Sequence, residues 1–434
     1  LVLRCNNFRV IDLGVMVSPL TILNKAKEYS ADIVALSGLI TPSLAHMKDV
    51  CSLFEQHGMQ IPIIIGGATT SALHTALRLA PLYPKKTFYS VDASSTVSIA
   101  LNLCSNQKEA FVERVETEYH LLKENYEKRE GNLTPFKVAI ENRYIKKIST
   151  LFSSIPHIQT ITTLPIEELT SYINWHMFFK AWLTPPQSDE AKKLKDDALA
   201  LLRDEVVKNT FNSSIKAVFG LFPATKKNEH TIELLDKDGK KKEEFTFLRS
   251  QQPQKDGHYY SLCDYIIDDS VDTIGMFVAT TGVPVAKMIQ QYRDADDEYR
   301  ALLLSLLSDR LAESVSEYLH TRIVHPLWIN DEAISSIRPA IGYPVVRDHY
   351  MKKAIFTLLD AHSSLGVELT ESMAMNPVSS VCGLYVADRN CSYFPLSAIS
   401  HEQLTSYSHQ SSKTEQEVLH YLSVDILDQM KEER

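Results

Sequence analysis

The segment 61–71, which reads IPIIIGGATTS, gives the strongest indication of the fold. Its apolar half, 61–65, is typical of a strand buried on both faces, as in the centre of a parallel sheet. The pair Gly66 and Gly67 then allows a tight turn, and a helix is predicted around 72–79. A buried strand, a glycine turn and a helix in this order indicate one βα unit.

The same alternation extends over the first hundred residues. Ser18 before Pro19 and Thr41 before Pro42 are typical of helix starts, with a hydroxyl residue at the N-cap and proline in the first turn. The predicted strands lie at 10–16, 33–36, 61–65 and 87–91. Repeated βα units predict a doubly wound parallel sheet that binds ligands at the carboxyl ends of its strands. We expect this α/β domain to lack its first strand.

The rest of the chain is organised differently. A charged amphipathic helix is predicted from 108 to about 130, and a mixed connecting segment follows it to about 160. Beyond it, long helices alternate with short, widely spaced strands, which predicts an α+β domain with an antiparallel sheet. The predicted helices lie at 189–208 and 294–324, and the predicted strands at 216–222, 243–248, 273–279 and 383–386. The resulting domain boundaries are 1–107, 108–160 and 161–434.

The composition limits the classes of function. Lys+Arg 45 against Asp+Glu 54 gives a net charge of −9 and a pI of about 5.9, so the chain lacks the basic excess of a general binder of nucleic acid or anionic membrane. The six cysteines contain no CxxC pair, which argues against a zinc ribbon and indicates reduced thiols. No apolar run approaches the roughly 18 residues of a membrane span, and no secretory signal is recognisable. We expect a cytoplasmic protein that contacts neither nucleic acid nor membrane.

Three loops at the carboxyl edge of the predicted parallel sheet carry hydroxyls and free amides. These groups suit a phosphate or amide-rich ligand. They also fit an alternative in which the hydroxyls only cap helices and the glycines only form a tight turn, because no Walker or GxGxxG pattern is present. The loop residues are Ser37, Thr41, Ser43, 66–71 and 92–94.

In the C-terminal domain, the segment 338–344 reads RPAIGYP and forms a rigid loop. The planar fork of Arg338 can bind a carboxylate with two hydrogen bonds, and a free amino acid presents such a group. The alternative is that Arg338 pairs with a neighbouring acidic side chain.

Several strings in the first domain resemble the cobalamin-binding domain of the cobalamin-dependent methionine synthase family. They are NN at 6–7, DLGVMV at 12–17, LSGLITPS at 36–43 and GGATTS at 66–71. The resemblance implies a Rossmann-like, flavodoxin-like domain that holds cobalamin with its nucleotide tail in the sheet. It implies that Ser43 is the hydroxyl of the triad behind the lower cobalt ligand. The residues implied to contact the tail are Ser37, Thr41, Gly66, Gly67, Ala68, Thr69 and Ala93.

The lower-ligand histidine of that family is not found. It belongs to an Asp-x-His-x-x-Gly motif that precedes the Asn-Asn string, and this motif occurs nowhere in the 434 residues. We therefore expect no cobalt-ligating residue in this chain. His46 and His74 lie in the domain without that context, and both are predicted to be surface histidines.

The second domain resembles the activation domain of the same family. The matching strings are YINW at 172–175, GLFPA at 220–224, DRLAE at 309–313, RPAIGYP at 338–344 and LTESMAM at 369–375. The resemblance implies that this domain binds S-adenosylmethionine in a shallow groove. It implies that Arg338 holds the carboxylate, Glu313 assists at the amino group, and Tyr343 faces the cobalamin. Tyr393 and Phe394 would meet the adenosine.

Asn174 departs from the family pattern, which has aspartate at that position. Asparagine keeps the acceptor oxygen but loses the charge that would pair with the ammonium group of the ligand. Because charge-assisted hydrogen bonds are about twice as strong as neutral ones, we expect weaker binding of S-adenosylmethionine with Asn174 than with aspartate.

The resemblance implies a methyltransferase. In the full protein, methylcobalamin gives its methyl group to homocysteine, and this part would serve the reductive methylation of cob(II)alamin by S-adenosylmethionine. The implied partners are a flavodoxin-type electron donor, with Lys192, Lys193 and Lys195 as candidate docking residues, and the homocysteine (zinc) and folate modules, which this chain lacks. We expect a monomer. The alternatives are a corrinoid carrier or sensing module without turnover, and a nucleotide-binding α/β enzyme that uses 66–71 as a phosphate loop.

Overall fold

A computed structural model describes residues 2–38, 42–67, 70–130, 133–152, 157–182, 184–396, 398–422 and 425–427. The chain divides into two compact units, unit 1 from Leu1 to Leu133 and unit 2 from Thr134 to Arg434. Within the described residues, every helix is too short or too polar to cross a lipid bilayer.

Unit 1 is an α/β unit. Among its described residues, strands β1 (Val34–Ser37), β2 (Ile63–Gly66) and β3 (Thr87–Tyr89) form a parallel sheet in the order β1-β2-β3. Its helices are α1 (Val2–Cys5), α2 (Pro19–Glu28), α3 (Pro42–Gln56), α4 (Ala72–His74), α5 (Ala93–Leu103) and α6 (Lys108–Glu130). A π-helical turn, Thr75–Leu79, continues α4.

Strand β2 is the buried centre of this sheet, as the run at 61–65 predicted. Ile63 and Ile65 pack into the same core cluster as Phe54 and Tyr83, while Ile64 packs on the opposite face with Phe88. The flanking helices begin at side-chain caps, since Ser18 caps α2 and Ser71 caps α4. The predicted α/β class is therefore confirmed for this unit.

The predicted strand at 10–16 is wrong. The Asp12 carboxylate accepts a hydrogen bond from the Gly14 amide at 2.8 Å, and both Gly14 and Met16 have a positive φ, so the backbone turns instead of extending. Val15 and Met16 are 90% and 85% exposed. The apolar pattern indicated a strand, but in this structure the segment has neither an extended backbone nor a buried face.

Gly67 brings the loops after β1 and β2 together. Its φ is +105°, and a Cβ at this position would lie 2.3 Å from the backbone oxygen of Gly38. The Gly38 amide in turn donates to the carbonyl of Gly66 at 2.9 Å. Glycine is therefore required at 67 for both its backbone angle and the close approach.

Unit 2 is an α+β unit, as predicted. In its described part, an antiparallel sheet runs in the order β7-β6-β5-β8-β12-β9, and β4 pairs with β5. The strands of unit 2 are β4 (His157–Ile161), β5 (Lys216–Lys226), β6 (Thr231–Leu235), β7 (Lys241–Thr246), β8 (Asp272–Thr280), β9 (Ser335–Ile337), β10 (Glu368–Leu369), β11 (Met375–Asn376), β12 (Ser380–Asp388), β13 (Ala398–Ser400) and β14 (Asp425–Leu427).

The helices of unit 2 cover both faces of this sheet. They are α7 (Phe136–Glu141), α8 (Ile166–Thr170), α9 (Trp175–Ala181), α10 (Asp189–Arg203), α11 (Glu205–Ser214), α12 (Val283–Asp294), α13 (Glu298–Tyr318), α14 (His325–Trp328), α15 (Met351–Leu359), α16 (Ala361–Leu365), α17 (His401–Gln410) and α18 (Glu415–Tyr421). A π-helical turn, Leu319–Val324, continues α13.

Alternate residues of the central strands enter two separate core clusters. On β5, Val218 and Phe222 pack with α15, whereas Phe219 and Leu221 pack with α13. Strands β8 and β12 are buried along their whole length for the same reason. The long helix α13 is thus fixed against the centre of the sheet.

Two predicted helices are shorter than expected because aspartates interrupt them. Asp204 separates α10 from α11, and its carboxylate caps α11 through the amides of Val206 and Val207. Asp297 caps α13 in the same way, so the predicted helix at 294–324 begins only at Glu298. An aspartate within a helical pattern is compatible with either a solvated face or a new N-cap, and the pattern does not distinguish the two.

The connecting segment predicted to reach 160 contains residues that are anchored in unit 2. The Lys146 ammonium pairs with the Asp272 carboxylate at 2.7 Å, and both side chains are fully buried. Asp272 also accepts hydrogen bonds from the amide and hydroxyl of Thr150, and the Trp328 indole donates to the Thr150 carbonyl. Further along, β4 adds a strand to the sheet.

We predict that Gly67→Ala destabilises unit 1 more than Gly58→Ala does. Both glycines have a positive φ, but a Cβ on Gly58 would meet nothing within 4 Å. Gly58→Ala should cost about 1 kcal/mol from backbone strain, and Gly67→Ala more than about 2 kcal/mol because it adds a steric clash. Hydrogen exchange of the β2 amides measures both losses, and equal losses would contradict the assigned close approach.

Candidate functional site

Unit 1 presents its predicted ligand residues along one edge of the parallel sheet. Ser37 ends β1 and is exposed, Gly66 ends β2, and Ala93 begins α5 after β3. Ser43 lies in the first turn of α3 and is half-buried. The remaining predicted contacts, Thr41, Ala68 and Thr69, lie outside the described residues.

Small residues lie along this edge. Among the described residues, a Cβ on Gly66 would meet only the backbone oxygen of Ser90, at 3.6 Å. The hydroxyl of Thr70 turns inward and donates to the Gly67 carbonyl at 2.8 Å, so it stabilises the loop. The alternative interpretation of the glycines as a tight turn therefore fits the described part of this loop.

The two histidines predicted to lie on the surface differ from each other. His46 is exposed on α3, whereas His74 is half-buried and its Nε2 has no hydrogen-bond partner among the described residues. Burial lowers the pKa of His74 to about 4, and the positive charges of Lys48 and Arg78 lower it further. His74 is thus a neutral imidazole at pH 7. In the part of the chain that is described, no three His, Cys, Asp or Glu side chains are placed to share a metal ion.

Unit 2 contains an open cavity of about 420 Å³. Helix α13, the loop after β9 and the loop after β12 form its walls. The lining residues are Glu313, Arg338, Pro339, Ala340, Tyr343, Pro344, Val345, Tyr393, Phe394 and Pro395. The structure therefore brings together five residues that the sequence predicted to bind one ligand, although they are separated by up to 81 positions in the chain.

Arg338 is the cationic centre of this cavity. Its Nε donates to Glu317 Oε2 at 2.8 Å, and its Nη1 donates to Glu313 Oε2 at 3.4 Å. Burial lowers the pKa of the guanidinium, but the hydrogen bond to Glu317 and the charges of both glutamates raise it, with a net rise. Arg338 is therefore charged, and among the described residues its Nη2 donates no hydrogen bond.

Two tyrosines complete the polar wall. The Tyr343 hydroxyl donates to Glu313 Oε1 at 2.9 Å, and the Arg338 amide donates to the Tyr393 hydroxyl at 3.1 Å. Burial, followed by the charge of Glu313, raises the pKa of Tyr343 to about 12, so its hydroxyl stays protonated. Tyr343 is 55% exposed and Tyr393 is 58% exposed, so both can contact a ligand.

Phe394 and Asn174 differ from the other predicted contacts. Phe394 lines the cavity, but it is 2% exposed and stacks on Tyr260 with the ring centroids 5.8 Å apart, so it supports the wall from behind. Asn174 is not among the residues that line the described cavity. Its Oδ1 accepts the amide of Met177 at 3.1 Å and caps α9.

The loop that carries Arg338 and Tyr343 is held at both faces. The Pro339 carbonyl accepts the amide of Leu384, and the Ile341 amide donates to the carbonyl of Cys382, which pins the loop to β12. Gly342 has a φ of +96°, and a Cβ there would lie 2.5 Å from Cε1 of His349. The loop thus packs directly on the imidazole ring.

Sequence reasoning missed Glu317. The residue lies four positions after Glu313 on α13, so both carboxylates lie on the same face of the helix. Two glutamates at this spacing, in a domain with an arginine expected to bind an anion, are the sequence feature from which Glu317 could have been predicted as a partner of Arg338.

Two family models match the chain. One, described as vitamin B12 dependent methionine synthase, activation domain, matches residues 165–412, which is more than half of the chain. The other, described as B12 binding domain, matches residues 2–82.

Solved structures are also similar to this chain. A crystal structure of the MetH reactivation domain bound to AdoHcy is 27% identical, with a TM-score of 0.60, over 68% of this chain and 98% of that one. A cobalamin-binding protein from Desulfitobacterium hafniense DCB-2 is 26% identical over 24% of this chain and 48% of that one, with a TM-score of 0.21.

We predict that His349 makes unit 2 sensitive to acid. Burial, together with the charge of Lys352, lowers the pKa of His349 to about 3, so the native state keeps the ring neutral where the unfolded state protonates it. The neutral His349 ring leaves the free energy of unfolding of unit 2 undiminished above pH 6.5. As the pH falls from 6.5 towards 3, that free energy decreases by about 1.4 kcal/mol per pH unit.

The measurement is urea unfolding followed by tryptophan fluorescence, because all three tryptophans lie in unit 2. His349→Gln should flatten the decline between pH 6 and pH 4 relative to the unsubstituted chain. Curves that stay parallel at every pH would contradict a neutral, buried His349. At pH 8 the ring is neutral in the folded and the unfolded chain, so the difference in unfolding free energy between the two proteins there measures the effect of the substitution apart from protonation.

Proposed function

The chain belongs to the family of the vitamin B12 dependent methionine synthase activation domain, and from this premise we propose that unit 2 binds S-adenosylmethionine at the Arg338 cavity. Unit 1 carries the B12 binding domain. Together they would serve the reductive methylation that returns an inactivated cobalamin to use. The observation that supports this most is the convergence of Glu313, Arg338, Tyr343 and Tyr393 on one cavity.

The residues of unit 1 fit cobalamin. A long nucleotide tail needs a groove without bulky side chains at the carboxyl ends of parallel strands, where Ser37, Gly66 and Ala93 carry small side chains or none. Ser43 would supply a hydroxyl to the bound cobalamin. When bound, cobalamin supplies a cobalt centre that accepts a methyl group.

Unit 2 supplies the binding and alignment. Arg338 holds the carboxylate of S-adenosylmethionine through Nη1 and Nη2, and Glu313 turns its carboxylate towards the ammonium group. Tyr393 and Phe394, which line the cavity, would contact the adenosine, and the exposed Tyr343 is available to the methyl acceptor. The methyl group of S-adenosylmethionine would leave the sulfur, which keeps the bonding pair in S-adenosylhomocysteine, and it would pass to cobalamin to which an external donor has supplied one electron. The contribution of the protein is then chiefly positioning.

This assignment agrees with the similar crystal structure, in which a MetH reactivation domain is bound to AdoHcy, or S-adenosylhomocysteine. In the full protein we propose methyl transfer to homocysteine, with homocysteine- and folate-binding modules as partners and a flavodoxin-type protein as electron donor. Of the candidate docking lysines, Lys192 pairs with Asp189 at 3.2 Å and Lys195 lies over the Trp175 ring, so Lys193 is the best placed to meet an acidic partner.

A calorimetric titration with S-adenosylmethionine tests the cavity. Arg338→Ala should weaken binding at least about tenfold, because it removes a charged hydrogen-bond donor worth roughly 1.5–3 kcal/mol. The control is Arg322→Ala, which changes an exposed arginine that is absent from the cavity lining and should bind as the unsubstituted chain does. Saturable binding that survives Arg338→Ala would exclude this site.

Methyl transfer distinguishes the proposal from a corrinoid carrier or sensor. With added cobalamin and a chemical reductant, the chain should transfer the labelled methyl group of S-adenosylmethionine to the corrinoid in a single turnover. A chain that binds both molecules and transfers no label would favour the carrier.

We also predict that Asn174→Asp binds S-adenosylmethionine more tightly than the unsubstituted chain, by about 1 kcal/mol or fivefold, because a carboxylate would attract the ammonium group. Aspartate is as good an N-cap as asparagine, so α9 should be preserved. Equal affinities in parallel titrations would show that the side chain at position 174 does not interact with the ammonium group of the ligand.

A further inference from the structure

We propose that Glu317 is a positioning residue that holds one edge of the Arg338 guanidinium, so that the other edge is presented to the carboxylate of the ligand. This inference rests on the proposed function of the cavity. It concerns a residue that lies outside the cavity lining and acts only through Arg338.

The two glutamates contact different parts of the guanidinium. Glu317 accepts from Nε at 2.8 Å, whereas Glu313 is 3.4 Å from Nη1. A guanidinium has five N–H donors in a fixed plane, and a carboxylate binds best to two parallel donors. With Nε taken by Glu317, the remaining pair is formed by Nη1 and Nη2.

The contacts of the two glutamates imply different roles. Glu313 lines the cavity, holds Arg338 only by the longer contact, and is also engaged by the Tyr343 hydroxyl. An incoming carboxylate can therefore replace it at Nη1. Glu317 makes the short contact at Nε and is not among the lining residues, so it can remain in place when the ligand binds.

Arg338 holds Glu317 without help from a second cation in the described part of the chain, where it is the only basic side chain within ion-pair distance of the Glu317 carboxylate. His320 lies three residues further along the chain, in the π-helical turn that continues α13, and burial lowers its pKa to about 4, so its ring is neutral at pH 7. The Arg338 side chain is 16% exposed, so the direction of its fork depends on these few neighbours.

The loss of Glu317 should therefore reorient Arg338 rather than remove it. Glu313 would become the only acidic partner and would draw the guanidinium onto itself, which covers Nη1. The carboxylate of the ligand would then have to displace a stronger contact between Glu313 and Arg338. The resulting loss of affinity should affect only ligands that carry the amino-acid end.

The test is a set of titrations on the full chain with Glu317→Gln, Glu317→Asp and the control Glu298→Gln. Glu298 lies in the first turn of α13, whereas Glu317, which contacts Arg338, lies in its last turn. The probes are S-adenosylhomocysteine, which has the carboxylate, and 5′-methylthioadenosine, which lacks the amino-acid end and is followed by competition.

Glu317→Gln should weaken S-adenosylhomocysteine about five- to tenfold and leave 5′-methylthioadenosine unchanged, since only an oriented carboxylate contact of about 1 kcal/mol is lost. In single-turnover methyl transfer, the S-adenosylmethionine concentration that gives the half-maximal rate should rise with little change in the maximal rate, and Glu317→Asp should restore part of the affinity. Glu298→Gln should match the unsubstituted chain.

Unchanged affinity in Glu317→Gln would overturn the proposal, and so would an equal loss for both probes, which would indicate a merely structural role. A loss for S-adenosylmethionine without a loss for S-adenosylhomocysteine would also overturn it, because it would reflect attraction of the sulfonium charge. The proposed function itself would fail if the unsubstituted chain bound neither adenosyl amino acid, which is a different outcome from all of these.

Discussion

The ion-pair cluster of Arg338 with Glu313 and Glu317 is the interaction on which the candidate site depends. A guanidinium in a half-buried position is destabilising unless acidic neighbours offset its lost hydration, yet a fully paired guanidinium has no donors left for a ligand. The cluster meets both requirements, because one glutamate contacts Nε closely and the other contacts Nη1 at a longer distance. The site is thus stable without a ligand and open to a carboxylate.

The fold serves this cluster by fixing its two sides to the same sheet. Helix α13 packs along the central strands, and the loop with Arg338 is hydrogen-bonded to β12 on that sheet. Gly342 lets the loop lie directly on the His349 ring. Since neither side can move without disturbing the core, the cavity walls are preorganised, which is what alignment of a methyl donor requires.

The sequence predicted both fold classes, the buried strand β2 and the family resemblance, and these are confirmed. These features depend on local patterns of apolar residues, caps and glycines. The sequence did not predict the turn at 10–16 or the breaks at Asp204 and Asp297, because the same residues are compatible with a strand or a continuous helix until their hydrogen bonds form. Glu317 was missed because its role depends on a partner 21 residues away in the chain. The sequence is compatible with a salt bridge of Arg338 and with ligand binding, and the geometry accommodates both.

The most direct test of this account is a crystal structure of the chain with S-adenosylhomocysteine bound. We expect the carboxylate of the ligand within hydrogen-bond distance of Nη1 and Nη2 of Arg338, with Glu317 still on Nε and Glu313 moved from Nη1. A ligand whose carboxylate lies away from Arg338, or a complex in which Glu313 keeps Nη1 and the ligand occupies another part of unit 2, would contradict it.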